Sequence, residues 1–543
     1  MRSAFSSRRP DPAASSRARV DFIRTTLQGG FPFSRKLSVH KSCVNYLCFS
    51  RGEGRWLASA GDDLCIQLWD FNQEDVTQPS YTYRGPSGNV LTMDFSPSGR
   101  YLVSGGVDQT IQKFDVTRDR AVVGPGVQTS VIQSYHQHDD NIRGLSFHGT
   151  QDELLLSASE DGKIVLHDDR ADPRISGAQG VLQNASEFTG VQFHPTTDSL
   201  FVTSDIRGNV CLRDTRMAFG PLRSRTNNGI VQRYNTKLAR RSYTHLSDPE
   251  SSSVCFDRTG DKLCVTMLHY LPTIYALSDP HPLAVCSGAN GPDGQPIPAG
   301  QRTYSNSCTM KSGTFGGPGL PSDELYAAGS DDFRAYVWRI PELAKLKEER
   351  QEISAEDWYS KECDGVTAFC EGRDKPRYVP VELSTPLCRL NGHRSIVNSV
   401  AIHPSFMHIM TSGVERHVLL HSATSSSPCV QDLPRTAPTV RPLPEANLRD
   451  TRRYMRALLG NHPTLRDSDD NSDDDEELSS ISLFDHILRQ EGEADVFTIR
   501  RWGGSSESPS ESSESESDAE AQLNAEAQSD SVDDDEEMLD AGS

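Results

Sequence analysis

The side chains closest to a reactive cluster are His136, His138, Asp139 and Asp140, two imidazoles and two carboxylates within five residues. Such a set could ligate a transition metal if all four side chains converged on one point. It falls where a short strand is about to begin, so it is read as an entry turn and no metal site is predicted. The run Gly316-Gly317-Pro318-Gly319 is Gly-rich, as phosphate cradles are, but it lacks their Lys and strand-to-helix setting, so it is read as a loop. No Walker A loop, nucleophile elbow, kinase signature or H-E-x-x-H occurs. Carboxylates crowd the end of the chain, yet acid–base catalysis needs them held in a structured cleft. No catalytic residue, cofactor or enzymatic activity is predicted.

The charge has a definite place. The 543 residues carry a formal net charge of −21. Residues 461–543 hold 26 Asp and Glu against four Arg, so the first 460 residues, with 51 basic and 50 acidic side chains, are nearly neutral. A polyanionic tail repels nucleic acid, and direct nucleic-acid binding is not expected. No apolar run reaches the roughly 18–20 residues of a membrane helix. The twelve cysteines contain no C-x-x-C pair and are expected as reduced thiols, in a nuclear or cytoplasmic setting.

The elements that must position any site recur. One pattern repeats along residues 37–422: a His or Gly turn, a short apolar strand, a second strand ending in Ser-Gly or Ser-Ala, an Asp turn, and a third strand ending near Trp-Asp. Repeats of roughly 40–50 residues are the signature of a propeller. The first copy is clearest, from His40 through Trp56–Ala60 and Asp62-Asp63 to Trp69-Asp70. The third closes at His167-Asp168-Asp169-Arg170 and the fourth at Arg213-Asp214-Thr215-Arg216, while the fifth is weak. Seven copies predict an all-β, seven-bladed WD-repeat β-propeller, whose radial closure leaves only short strand edges exposed. In a blade of this kind the His, the turn Asp and the Trp form a buried polar network, because buried polar groups need partners. Blade seven has Glu415 where the Asp is expected, so its network is expected to be incomplete. Insertions are expected at 217–250, 278–303 and 341–384, the last with a helix-prone run from Glu342 to Lys361.

The ends read differently. Residues 1–36 form a basic arm. Residues 423–543 form a Ser- and acid-rich tail predicted to be disordered. Ser472, Ser508, Ser513 and Ser531 each precede an acid by three residues and are candidate phosphorylation sites. Two apolar islands, 448–459 and 482–490, have helical spacing. Such islands dock on a partner or fold back on the propeller.

Several longer strings resemble one family. They are Asn306-Ser307-Cys308-Thr309-Met310-Lys311-Ser312, Gly329-Ser330-Asp331-Asp332-Phe333, Trp338-Arg339-Ile340-Pro341, Gly392-His393-Arg394-Ser395-Ile396-Val397-Asn398, Ser412-Gly413-Val414-Glu415 and Phe484-Asp485-His486-Ile487-Leu488-Arg489. These resemble the cullin-4-associated WD-repeat receptors, which bind the damaged-DNA-binding adaptor. The resemblance implies a substrate-recognition subunit of a cullin-4 RING ubiquitin ligase, docking on that adaptor and presenting a protein substrate. It implies docking through the Arg of W-D-x-R motifs in neighbouring blades, here Asp168 with Arg170 and Asp214 with Arg216. It also implies docking by an N-terminal segment around Phe22 and Arg24. Both motifs keep the Asp and the Arg, but His167 and Arg213 stand where the family has Trp. Two other functions fit the same sequence: a nuclear WD-repeat scaffold, or a chaperone for histones or other basic proteins working through the acidic tail.

Overall fold

In a computed structural model, residues 12–117, 128–129, 131–171, 179–360, 365–445, 473–492 and 494–498 are described. Seven sheets form blades around a ring. Blade one has strands Val44–Phe49, Trp56–Gly61, Cys65–Asp70 and Tyr81–Arg84. Blade two has Val90–Phe95, Tyr101–Gly106, Ile111–Asp115 and Gln133–Tyr135. Blade three has Ile142–Phe147, Leu154–Ser159, Lys163–Asp168 and Val181–Gln183. Blade four has Phe188–Phe193, Leu200–Asp205, Val210–Asp214 and Ile230–Tyr234. Blade five has Ser251–Phe256, Lys262–Met267, Thr273–Ala276 and Ala284–Cys286. Blade six has Gly313–Gly316, Leu325–Gly329, Ala335–Arg339 and Cys388–Leu390. Blade seven has Val397–Ile402, His408–Gly413 and Glu415–Ser422. The inner strand of each blade neighbours that of the next, and that of blade seven neighbours that of blade one, so the ring is closed.

Closure joins the two ends of the ring. The outer strand of blade seven is Phe33–Ser38, paired antiparallel with Glu415–Ser422 from Phe33↔Ser422 to Ser38↔His417. The basic arm drawn at 1–36 therefore ends inside a strand, and the ring begins at Phe33. The arm itself is a helix, Pro12–Gln28, stopped by Gly29-Gly30.

Each second strand is buried on both faces, because a neighbouring blade covers each side. Trp56–Gly61 and His408–Gly413 have no exposed residue. The alternation expected of a strand with one packed face is therefore absent there. The recurring Gly at the end of this strand has a steric cause. A Cβ at Gly106 would lie 1.9 Å from the Asn89 carbonyl oxygen, and one at Gly413 would lie 2.0 Å from that of Ile396.

The insertions look different from their sequence. The segment 217–250 contains the outer strand of blade four, and 278–303 contains that of blade five. The run Glu342–Lys361 breaks into two short helices, Leu343–Glu349 and Ala355–Ser360, around the strand Gln351–Ile353. That strand joins Leu238–Arg240, Thr367–Phe369 and Arg377–Val379 in an eighth, accessory sheet. The tail read as disordered is partly folded. Residues 423–435 lie against blades seven and one, with Ser34 N–H of blade seven donating to the Pro434 carbonyl at 3.1 Å and Val76 N–H of blade one donating to the Cys429 carbonyl at 3.0 Å. A helix, Asp473–Glu491, returns to the propeller. Island 482–490 lies in that helix. Island 448–459, Ser472, Ser508, Ser513 and Ser531 lie outside the described residues. No described helix is long and apolar enough to cross a membrane.

Candidate protein-binding face

The polar networks between strands come first, because they fix the turns that present the surface residues. In blade one His40 Nδ1 lies 2.8 Å from Asp63 and its Nε2 lies 2.8 Å from Ser59 Oγ. Trp69 Nε1 donates to the same hydroxyl at 3.0 Å. With Nδ1–H facing the carboxylate, Nε2 accepts from the Ser59 O–H, whose oxygen accepts from the indole N–H. Blade three repeats this with His138, Asp161 and Ser157, but the partner in the Trp position is His167, 2.8 Å from Ser157 Oγ. Blade seven uses His393, Thr411 and His421, at 2.7 and 3.0 Å. Glu415 takes the Asp role there, 2.8 Å from His393 Nδ1. The network expected to be incomplete in blade seven is thus complete: the longer Glu side chain reaches the imidazole. Burial, reinforced by the neighbouring His138 or His393, lowers the pKa of His167 and of His421 to about 3. In blade four Arg213 fills the Trp position, buried, with Nε donating to Thr203 at 2.9 Å and Nη1 to the Asn228 carbonyl at 2.6 Å.

The same bonds scatter the His136–Asp140 cluster. His138 turns into its blade, Asp139 turns out to Lys163, and His136 lies 3.3 Å from Thr110. Among the described residues no three His, Cys, Asp or Glu side chains are placed to hold a metal.

Two D-x-R turns close the third strands of blades three and four. Asp168 receives Arg170 Nε at 2.9 Å and Nη2 at 3.1 Å, and also the Arg170 backbone N–H at 3.0 Å. Asp214 receives Arg216 Nη2 at 2.6 Å, Nε at 3.0 Å and the backbone N–H at 2.9 Å. These arginine bonds hold both carboxyls below the usual Asp range. The fork therefore grips its own Asp with one edge and turns the other outward. Arg170 spends part of that edge on Gln151, 2.9 Å away. The Arg216 side chain is 76% exposed against 54% for Arg170, so Arg216 is the better presented. The middle residue of the first motif has a separate structural task. Asp169 receives Lys113 of blade two at 2.6 Å and Tyr135 at 2.7 Å.

Two more arginines belong to this rim, and the sequence reading missed them. Asp70 and Asp115 end the third strands of blades one and two. In register, Trp56↔Asp70 and Tyr101↔Asp115 match Leu154↔Asp168 and Leu200↔Asp214. Arg55 bonds Asp70 at 3.1 and 2.6 Å, and Arg100 bonds Asp115 at 3.2 and 3.1 Å. Four consecutive blades thus carry a carboxylate-held arginine at one position. The only sequence signal was an Arg just before each second strand. Leu222, just beyond Arg216, adds an apolar group that is 81% exposed.

The rim shares its face with the loops that follow the inner strands. Those loops touch from blade to blade around the ring: Ser98 with Asp152, Thr196 with Thr259, Arg258 with Asp323, and Gly319 with Pro404. The N-terminal helix packs on the same face at blade six, with Ile23 and Leu27 buried beside Leu320 and Leu325. Arg24 is tied to Glu324 in that blade's loop. Its fork anchors the helix to the ring. Phe22 points away and is 65% exposed. The structure therefore brings Arg170 and Arg216 together in adjacent blades. Phe22 and Arg24 lie on the same face but two blades further round.

The family model described as WD domain, G-beta repeat, matches residues 31–70, 77–115, 129–168 and 384–422. The chain therefore carries WD repeats in these four segments. It is 27% identical over 498 residues to the DDB1- and CUL4-associated factor 5 of Homo sapiens, covering 90% of this chain and 43% of that protein. The Mus musculus protein of that name matches to the same extent. Protein ALTERED SEED GERMINATION 2 of Arabidopsis thaliana is 28% identical over 167 residues, 30% of this chain and 21% of that one. The chain spans less than half the length of the two factor 5 proteins. The matched repeats are blades one, two, three and seven. Blades four to six diverge in sequence but form complete sheets.

Proposed function

We propose that this WD-repeat protein is the substrate-recognition subunit of a cullin-4 RING ubiquitin ligase. It docks on the damaged-DNA-binding adaptor and presents a protein substrate, in the nucleus or cytoplasm. One observation carries the reading: Arg170 and Arg216, in adjacent blades, are each locked by the Asp of their own turn, the outer guanidinium edge of Arg216 turned to the surface and that of Arg170 shared with Gln151. A fork fixed before contact loses little rotamer entropy on binding, and its planar donors suit carboxylate and carbonyl acceptors. The likeness to the DDB1- and CUL4-associated factors supports the choice of partner. The protein performs no bond chemistry in this account. It raises the effective concentration of substrate lysines near a ubiquitin-charged enzyme. The test is affinity purification with quantitative mass spectrometry, comparing wild type with Arg170→Ala/Arg216→Ala. Wild type should recover the adaptor and cullin-4, and the double variant should lose both while keeping its fold. Recovery of neither by wild type rejects the proposal and leaves the scaffold reading.

A further inference from the structure

The face opposite the arginine rim holds a segment that belongs to no blade. The helix Asp473–Glu491 lies over the turns of blades six, seven and one. Its inward side is one stripe at helical spacing: Glu477, Ile481, Phe484, Asp485 and Leu488. Leu488 and Phe484 pack among Cys43, Phe333, Ile396 and Val414. Asp485 is buried and takes a bidentate bond from Arg441, at 2.8 and 2.7 Å. Glu477 accepts the Arg416 backbone N–H at 3.4 Å, with the Arg416 guanidinium also 3.4 Å away. Phe484 reaches the mouth of the central channel, a space of about 1100 Å³. Beyond the helix, Phe497 is buried by the accessory sheet, under the Arg240 guanidinium at 4.5 Å, and Asp495 pairs with Arg240 at 2.5 Å.

This segment is held by side chains. Among the described residues it adds no strand to any sheet. The blades are complete without it, so its departure breaks no ladder. The groove it fills has a definite chemistry. Two arginines stand where two carboxylates eight residues apart must fall, and the apolar surface alongside them accepts side chains four, seven and eleven residues after the first carboxylate.

We propose that this groove is a receptor site for an acidic amphipathic helix of a partner protein, and that residues 473–498 are its resident competitor. A partner helix with carboxylates at i and i+8 and apolar groups at i+4, i+7 and i+11 displaces the resident helix and takes its contacts. The tether makes the resident helix compete at an effective concentration of about millimolar, so a free ligand gains access mainly when the resident contacts are weakened. Calling that partner the substrate rests on the receptor function above, but the groove itself does not.

The test uses the full-length chain and two release variants, Asp485→Ala/Leu488→Ala and Asp485→Lys, each checked for an unchanged thermal midpoint. The probes are a labelled peptide of residues 473–498 and a designed Ala-based helix carrying only the five stripe residues. Both probes should bind the release variants at least tenfold more tightly than wild type, and adding Arg441→Asp should abolish that gain. Equal binding to wild type and release variants overturns the proposal, as does binding indifferent to Arg441→Asp. Adaptor binding is measured on the same proteins. Probe failure with the adaptor retained refutes the groove alone, whereas probe binding without any adaptor binding by wild type refutes the ligase reading alone.

Discussion

Acidification should weaken the propeller through two histidines that stand where a WD blade has Trp. His167 and His421 are buried, each bonded through Nε2 to a hydroxyl, and burial lowers each pKa to about 3. In the unfolded chain each titrates near 6.5. Between those values the unfolded state binds a proton that the native state refuses, so stability falls as pH falls. The contribution is whole above about pH 6.5 and is lost progressively toward pH 3. From pH 7.5 to 5.5 each histidine removes about 1.4 kcal/mol, and the pair about 2.7 kcal/mol. Asp62, Asp94 and Glu250, raised by burial, act in the opposite sense. They are common to wild type and variant and cancel in a difference. The perturbation is His167→Gln/His421→Gln, in which an amide still donates to Ser157 and Thr411. The assay is urea unfolding of both proteins at the two pH values. Wild type should lose about 2.7 kcal/mol more than the variant. Equal losses would mean that the two imidazoles titrate alike in the folded and unfolded states, against the burial seen here.

Other consequences follow from buried and exposed groups. Lys311 and Asp331 form an ion pair with no exposed side-chain surface, where Asp331 also takes the Ser307 N–H at 2.5 Å. Lys311→Met should destabilise by about 3–5 kcal/mol in chemical denaturation, and adding Asp331→Asn should recover a large part of that loss. The two sides of the N-terminal helix should separate. Leu27→Ala removes a fully buried side chain and should expose the helix to hydrogen exchange, with a loss of about 2–4 kcal/mol in local protection. Phe22→Ala should leave stability within about 0.5 kcal/mol while lowering affinity for the adaptor, read by titration.

The inner three strands of most blades were legible because a Ser-Gly or Ser-Ala end, an Asp turn and a closing Asp recur at similar offsets, whereas blade five lacks these marks and read weakly. The outer strands were not. Ile230–Tyr234 is half-buried or exposed at four of its five residues, and Ala284–Cys286 is only three residues long. Two of the outer strands therefore read as insertions. The D-x-R turns were visible because Asp and Arg are two residues apart. Arg55 and Arg100 escaped because their Asp partners lie fifteen residues on, across an antiparallel ladder. The apolar island at 482–490 was visible as a helix, but its destination depended on Arg441 and Phe333, which no local pattern links to it. Of the two arm residues, the structure ties Arg24 to the ring through Glu324, and Phe22 is the one left facing outward.

The most direct measurement of the central claim is the equilibrium affinity of the purified damaged-DNA-binding adaptor for the full-length chain and for Arg170→Ala/Arg216→Ala. Two hot-spot arginines at about 2 kcal/mol each amount to well over a hundredfold in affinity. Wild type should bind tightly, and the double variant should bind at least about 100-fold more weakly with its thermal midpoint unchanged. Affinities within twofold of each other, or no adaptor binding by wild type, would contradict the claim.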